Sequence, residues 1–189
     1  MGLGIPDTAT ATGDIVYELV LGGEPFPAQN GLKGITVERS VNRIASAQIV
    51  LMDDDAGNTA YPISNENFTK PGAEVEIKAG YGDGAETIFK GIIVSQRMKV
   101  DRRKSILVLE CRDKAVKMAI IKKSAYYYEM KDSDVFTQLI SSAGLKPDVE
   151  ASSVTHKEMV QYSCSDWDFM VSRAEANGMW TTPTARHRC

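Results

Sequence analysis

From Asp14 onward the chain runs in short, strand-like hydrophobic segments, and after about Ala115 the spacing lengthens to that of helices. Glu74 to Ala79 alternates most cleanly. Val75, Ile77 and Ala79 fall on one side and Glu74, Glu76 and Lys78 on the other, which predicts a half-buried strand. Ile15 to Leu21 is apolar on both sides of the alternation, which predicts a strand covered on both faces. Ile35–Arg39 and Ala47–Met52 each show a mostly apolar and a more polar side. Thr87–Val100 continues the series, and Gly91 within it predicts a bulge or sharp bend. Asp101-Arg-Arg-Lys104 reads as a charged hairpin turn before a return strand, Ser105–Cys111. Six or seven strands joined mostly by turns predict an antiparallel β-barrel or sandwich over residues 14–118. Asp53 to Pro71 reads as a loop excursion from it, and residues 1–13 as a loose arm.

Residues 119–179 read as a small α/β segment. Asp132 or Ser133 is placed to cap a helix whose apolar positions are Val135, Phe136, Leu139, Ile140 and Ala143. Gly144 and Leu145 fit its C-terminal cap, and Pro147 bars continuation. Glu158–Tyr162 reads as a short strand. A second helix follows, with Ser165 and Asp168 three apart as a cap pair and Asp166 adding negative charge at the positive end of the dipole. Gly178 suits a left-handed terminator. Trp167, Met170, Val171 and Ala174 form one apolar stripe, while Phe169 and Ala176 lie nearly opposite, so this helix is expected to have two neighbours.

The run Val160–Gly178, centred on Ser165-Asp-Trp-Asp-Phe169, resembles the N-terminal part of VgrG spike proteins of type VI secretion systems. It is also similar to hub proteins of contractile phage tails. Val37–Asp53, Gly72–Gly82 and Ile88–Val94 extend the resemblance, in the family's order, over roughly Asp14 to Met179. The resemblance implies a mainly β fold with an α+β portion: a first barrel, a small helix-containing segment, then a second barrel. Residues 180–189 depart from that pattern. Trp180-Thr-Thr-Pro183 and the polar residues after it oppose a strand, so a chain cut short before the second barrel is expected. A frameshift, a fragment and a short hub relative are the competing explanations.

Composition narrows the chemistry. A formal charge of -3 supplies no basic field for nucleic acid. No run of about 18 apolar residues is present to span a membrane, and the first residues lack a basic start followed by an apolar core. Three cysteines, Cys111, Cys164 and Cys189, are too few and scattered for a disulfide framework. No cofactor or metal is expected. The acidic run Asp53-Asp-Asp-Ala-Gly-Asn58 invites a calcium reading, yet the sixth and twelfth positions of an EF-hand loop hold Asn58 and Ser64. Arg97, Lys99, Arg102, Arg103 and Lys104 make a basic hairpin without interleaved aromatics, which reads as a charged edge. No nucleophile elbow surrounds Ser163, Cys164 and His156, and Asp166 and Asp168 diverge on a helix, so no catalytic residues and no enzyme activity are expected. Tyr126-Tyr-Tyr128 must point to both faces of an extended segment. Tyrosine couples an apolar body to a wet tip, so the run suits equally an inter-domain or inter-subunit contact and simple packing on the barrel.

By resemblance, the expected role is structural: a homotrimeric hub that docks a spike onto a hexameric inner tube, with baseplate proteins and effectors as further partners. Such a hub would assemble in the cytoplasm and leave by contraction without a signal peptide, meeting a membrane only as the pierced target. A phage or prophage tail hub is the alternative, and a cell-wall hydrolase a more distant one. The helix motif Ser165, Asp166, Trp167, Asp168, Phe169 and Gly178 is expected to pack between domains, and Tyr126, Tyr127 and Tyr128 are candidates for a partner contact, with packing on the barrel as the alternative.

Overall fold

The structure is a computed structural model and describes residues 15–26, 31–53, 63–81, 84–101 and 104–183. Its larger part is one antiparallel sheet of seven strands: β1 (Ile15–Leu21), β2 (Glu24–Phe26), β3 (Leu32–Glu38), β4 (Ser46–Met52), β5 (Glu74–Tyr81), β6 (Gly84–Asp101) and β7 (Lys104–Arg112). They lie in the order β2-β1-β5-β6-β7-β4-β3. The mainly antiparallel β class is therefore what the alternation predicted. The sheet curls around a single core, because Phe26 at one edge and Leu32, Ile35 and Val37 at the other pack on the same cluster as Leu19, Ile49, Phe89 and Leu109. Each fully buried aliphatic side chain there stabilises the fold by roughly 1.5–3 kcal/mol. Among the described residues β2 and β3 share no ladder, so the barrel does not close through hydrogen bonds.

Two features differ from the sequence reading. Only Leu19 and Leu21 of β1 are buried, whereas Ile15, Val16 and Tyr17 are exposed. The reason is topological: β2 reaches only Leu19–Leu21, and the first half of β1 overhangs the core beside Tyr81. Gly91 is not itself a bulge. The register slips on either side of it, at Ile88 against β5 and at Val94 against β7. A Cβ at Gly91 would run into the Arg112 carbonyl and the ring of Phe89. These two bulges and one close approach let an 18-residue strand bend from one partner to the next.

Asp53 is fully buried, and its carboxylate accepts hydrogen bonds from the backbone N–H groups of Ile63 (2.8 Å) and Ser64 (2.9 Å). It therefore pins the foot of the excursion. Asp54, Asp55 and Asn58 lie outside the described residues, as do Arg102, Arg103, Cys189, residues 1–13 and the end of the tail from residue 184. Arg97 of the basic hairpin pairs with Glu110 on the neighbouring strand.

A second sheet, β8 (Lys122–Lys131) paired with β9 (Thr155–Ser165), carries α1 (Asp132–Ser142) and α2 (Asp166–Ala176). Their apolar faces meet in a second cluster that includes Tyr127, Phe136, Leu139, Met159, Trp167 and Met170. Both helices end as the sequence predicts. Gly144 and Gly178 have positive φ, with Leu145 N–H reaching Ile140 O and Met179 N–H reaching Ala174 O. The start of α1 does not. Asp132 is the first helical residue rather than the cap, because its carboxylate is engaged elsewhere.

Candidate interaction face and the polar node behind it

The capping motif of α2 is formed as read. Ser165 Oγ accepts from the Asp168 N–H (3.1 Å) and donates its own hydrogen to Asp168 Oδ2 (2.6 Å). Asp166 does more than complement the dipole. It accepts from Gln161 Nε2 at 2.9 Å and from Lys123 Nζ at 3.0 Å, tying the helix start to both strands of the ribbon. Gln161 is fully buried, accepts from the Tyr127 hydroxyl at 2.8 Å, and donates also to the Cys164 carbonyl. Burial, with the Asp166 carboxylate behind it, holds the Tyr127 hydroxyl above its ordinary pKa.

The three tyrosines separate. Tyr127 is a core residue whose ring stacks on Phe169, and it is not free to meet a partner. Phe169 is 8% exposed, so its apolar side is already covered: its neighbour is the ribbon from the same chain. Trp167, Met170 and Ala174 are buried with it. Strand alternation forces this division, since the odd position points inward while its neighbours point out.

Tyr126 and Tyr128 are each 61% exposed and stand with rings nearly parallel, centroids 6.2 Å apart. Val160 lies directly opposite Tyr126 and Glu158 opposite Tyr128, and Tyr162 extends the row on β9. The outer face of the ribbon is thus an aromatic surface with little covering it. Glu129 and Ser163, each following an exposed tyrosine, have positive φ. Left-handed backbone at non-glycine positions is costly. At Ser163 it is met by a hydrogen bond from its N–H to Ser124 Oγ, where two residues of β9 face one of β8.

Behind the ribbon lies a node that sequence reading missed. Asp132, 1% exposed, receives Arg173 Nε on Oδ1 (2.7 Å) and Arg173 Nη2 on Oδ2 (2.9 Å). Asn177 Nδ2 donates to Oδ2 at 2.9 Å, and His156 Nε2 lies 2.9 Å from the same oxygen. Burial raises the Asp132 pKa, but the bonds from Arg173, Asn177 and His156 outweigh it and hold the carboxyl below its usual range. The node joins α1, β9 and α2. Arg173 and Asn177 sit four apart on one helix, a visible spacing, but their acceptor is 41 residues away from Arg173 and carries no local signal. Through these four contacts Asp132 clamps the three elements together. Cys111, the buried thiol, is pushed up to about 12 by desolvation, which removes it as a nucleophile.

A family model described as the Alg8 N-terminal domain matches residues 11–187. No curated protein matches the chain. Among solved structures, the 43 kDa tail protein of prophage MuSo2 from Shewanella oneidensis superposes with a TM-score of 0.70 at 13% identity, over 92% of this chain and 54% of that one. The tail protein from Neisseria meningitidis MC58 gives 0.57 at 17% identity, over 89% and 48%. A chain of the lidded Francisella PdpA–VgrG complex gives 0.57 at 11% identity, over 86% and 25%. At such identities the likeness is one of fold, and the fold is that of tail and spike-complex proteins. The chain spans about half the length of the two tail proteins and a quarter of the third. With nearly all of its residues inside one family model, the chain belongs to the Alg8 N-terminal domain family.

Proposed function

We propose that this chain is a structural part of a contractile injection machine, the N-terminal portion of a hub that joins a spike to an inner tube. The observation that carries the reading is the superposition over 92% of the chain on a prophage tail protein. It is supported by a buried node committed to clamping and by an outward aromatic face suited to protein contact. In this reading the protein works mechanically, not as an enzyme. A full-length hub would act as a VgrG-like homotrimer on a hexameric tube, with baseplate proteins and effectors around it. It would assemble in the cytoplasm and leave the cell by contraction.

A phage or prophage tail hub is a second reading. It is favoured by the higher TM-score against the prophage tail protein, 0.70, than against the PdpA–VgrG chain, 0.57. One experiment addresses both. The gene is deleted in its native strain, and sheathed particles are purified and imaged by electron microscopy, with complementation by wild type and by a Tyr126→Asp/Tyr128→Asp variant. Loss of spiked particles, restored only by wild type, supports the hub role. Particles with normal spikes in the deletion strain would sink it. Packaged DNA in the restored particles assigns the tail to a phage, and its absence to an injection system.

A further inference from the structure

The two sheets are joined at a second place besides their covalent link through residues 113–121. Asn42, in the loop between β3 and β4, has φ of +59°, a left-handed conformation that asparagine tolerates better than most residues. Its backbone N–H donates to the Thr181 carbonyl at 2.8 Å. Its side-chain Oδ1 accepts from the Thr181 N–H at 2.8 Å, and its Nδ2 donates to Glu175 Oε1 near the end of α2 at 2.8 Å. The left-handed turn brings the amide side chain alongside the main chain. One residue thereby copies the paired donor and acceptor of a strand partner, with a third bond to spare.

Around this contact the seat is only partly filled. A cavity of about 190 Å³ lies between Arg39, Ser40, Val41 and Ala45 on the loop and Thr182 and Pro183 on the following segment. Beside this cavity the Asn42 bonds hold Thr181, while Met179 packs on the second core. Closer to the covalent link, Ala45 O accepts from Asp113 N–H, and Ile44 packs against the second core.

We infer that Asn42 is a clasp: it straps residues 179–183 to the first sheet and so fixes the angle between the two sheets. Without it, the helix-bearing part can pivot about residues 113–121 while both cores stay folded. The inference stands apart from the proposed hub role, since it concerns geometry within the single chain. If that role also holds, the clasp would keep the two parts from yielding when the assembly is driven forward.

Asn42→Gly tests it, because glycine keeps the left-handed backbone and removes only the side chain. Amide hydrogen exchange by NMR on the full chain should show Thr181 exchanging about tenfold faster, as expected for one lost hydrogen bond. The core amides of Ile49 and Leu109 should stay unchanged, and small-angle scattering should report a larger maximum dimension. Adding Glu175→Ala to Asn42→Gly should add nothing, because its partner is already gone. Unchanged protection at Thr181, an equal loss at Ile49 and Leu109, an unchanged maximum dimension, or additive effects of the two substitutions would each overturn the clasp.

Discussion

Tyr127 and Phe169 stack inside the second core with ring centroids 5.8 Å apart and planes 17° from parallel. The contact ties the middle of β8 to the first turn of α2, and it explains why the second apolar stripe of that helix needs no further domain. Phe169→Ala should cost about 3–5 kcal/mol, the range for removing a buried aromatic ring. Phe169→Asp should unfold the helix-bearing part even in the isolated chain. Chemical denaturation followed by near-ultraviolet circular dichroism checks this. A Phe169→Asp protein with native stability would contradict the stack as a core contact.

Acid sensitivity should divide between two carboxyls. Asp132 has a folded pKa below its ordinary value, so its clamp stabilises the fold fully above about pH 4 and the contribution is lost as the pH falls through the folded value. Asp113 runs the other way. Burial, opposed by the Ala115 N–H and the charges of Arg39 and Lys114, raises its pKa. Its contribution is present below about pH 4 and is lost as the pH rises through the folded value. Asp132→Ala should therefore cost about 3 kcal/mol near neutrality and much less in acid. Asp113→Asn keeps an acceptor for the Ala115 N–H, removes the buried charge, and should raise Tm at pH 7 but not at pH 3. Thermal melts of both variants at the two pH values decide the matter, and pH-independent effects would refute the assignment.

At Gly91 the missing side chain is a requirement of the bend. Gly91→Ala places a Cβ against the Arg112 carbonyl, a backbone atom that cannot swing away. The expected loss is about 3 kcal/mol, with hydrogen exchange accelerated first along the β6–β7 ladder. Gly34→Ala is the control, since a Cβ there meets nothing within 4 Å. Equal stability of the two variants would remove the close approach as the reason for glycine.

The outward tyrosines should matter for assembly and not for folding. Tyr126→Asp/Tyr128→Asp should change stability by no more than about 1 kcal/mol, because neither ring is in the core. The same variant should fail to restore particles. A large fall in Tm would recast the pair as structural.

Much of the local architecture is legible in the amino-acid sequence alone. Alternation placed β5, and capping residues placed the start of α2 and the ends of both helices. These signals are local, since a strand shows its faces every two residues and a helix its ends within one turn. The resemblance carried by Ser165–Phe169 and its flanking segments led to a fold that the superpositions share. Partners distant along the chain are not legible in that way. Phe169 looked free because Tyr127 is 42 positions away; Asp132 looked like a cap because Arg173, Asn177 and His156 are far from it in sequence; and β1 looked covered because nothing in its own residues tells how far β2 extends. Periodicity can say that a side chain needs a neighbour. Which neighbour it gets depends on how distant segments are brought together, and that is settled only when both cores close.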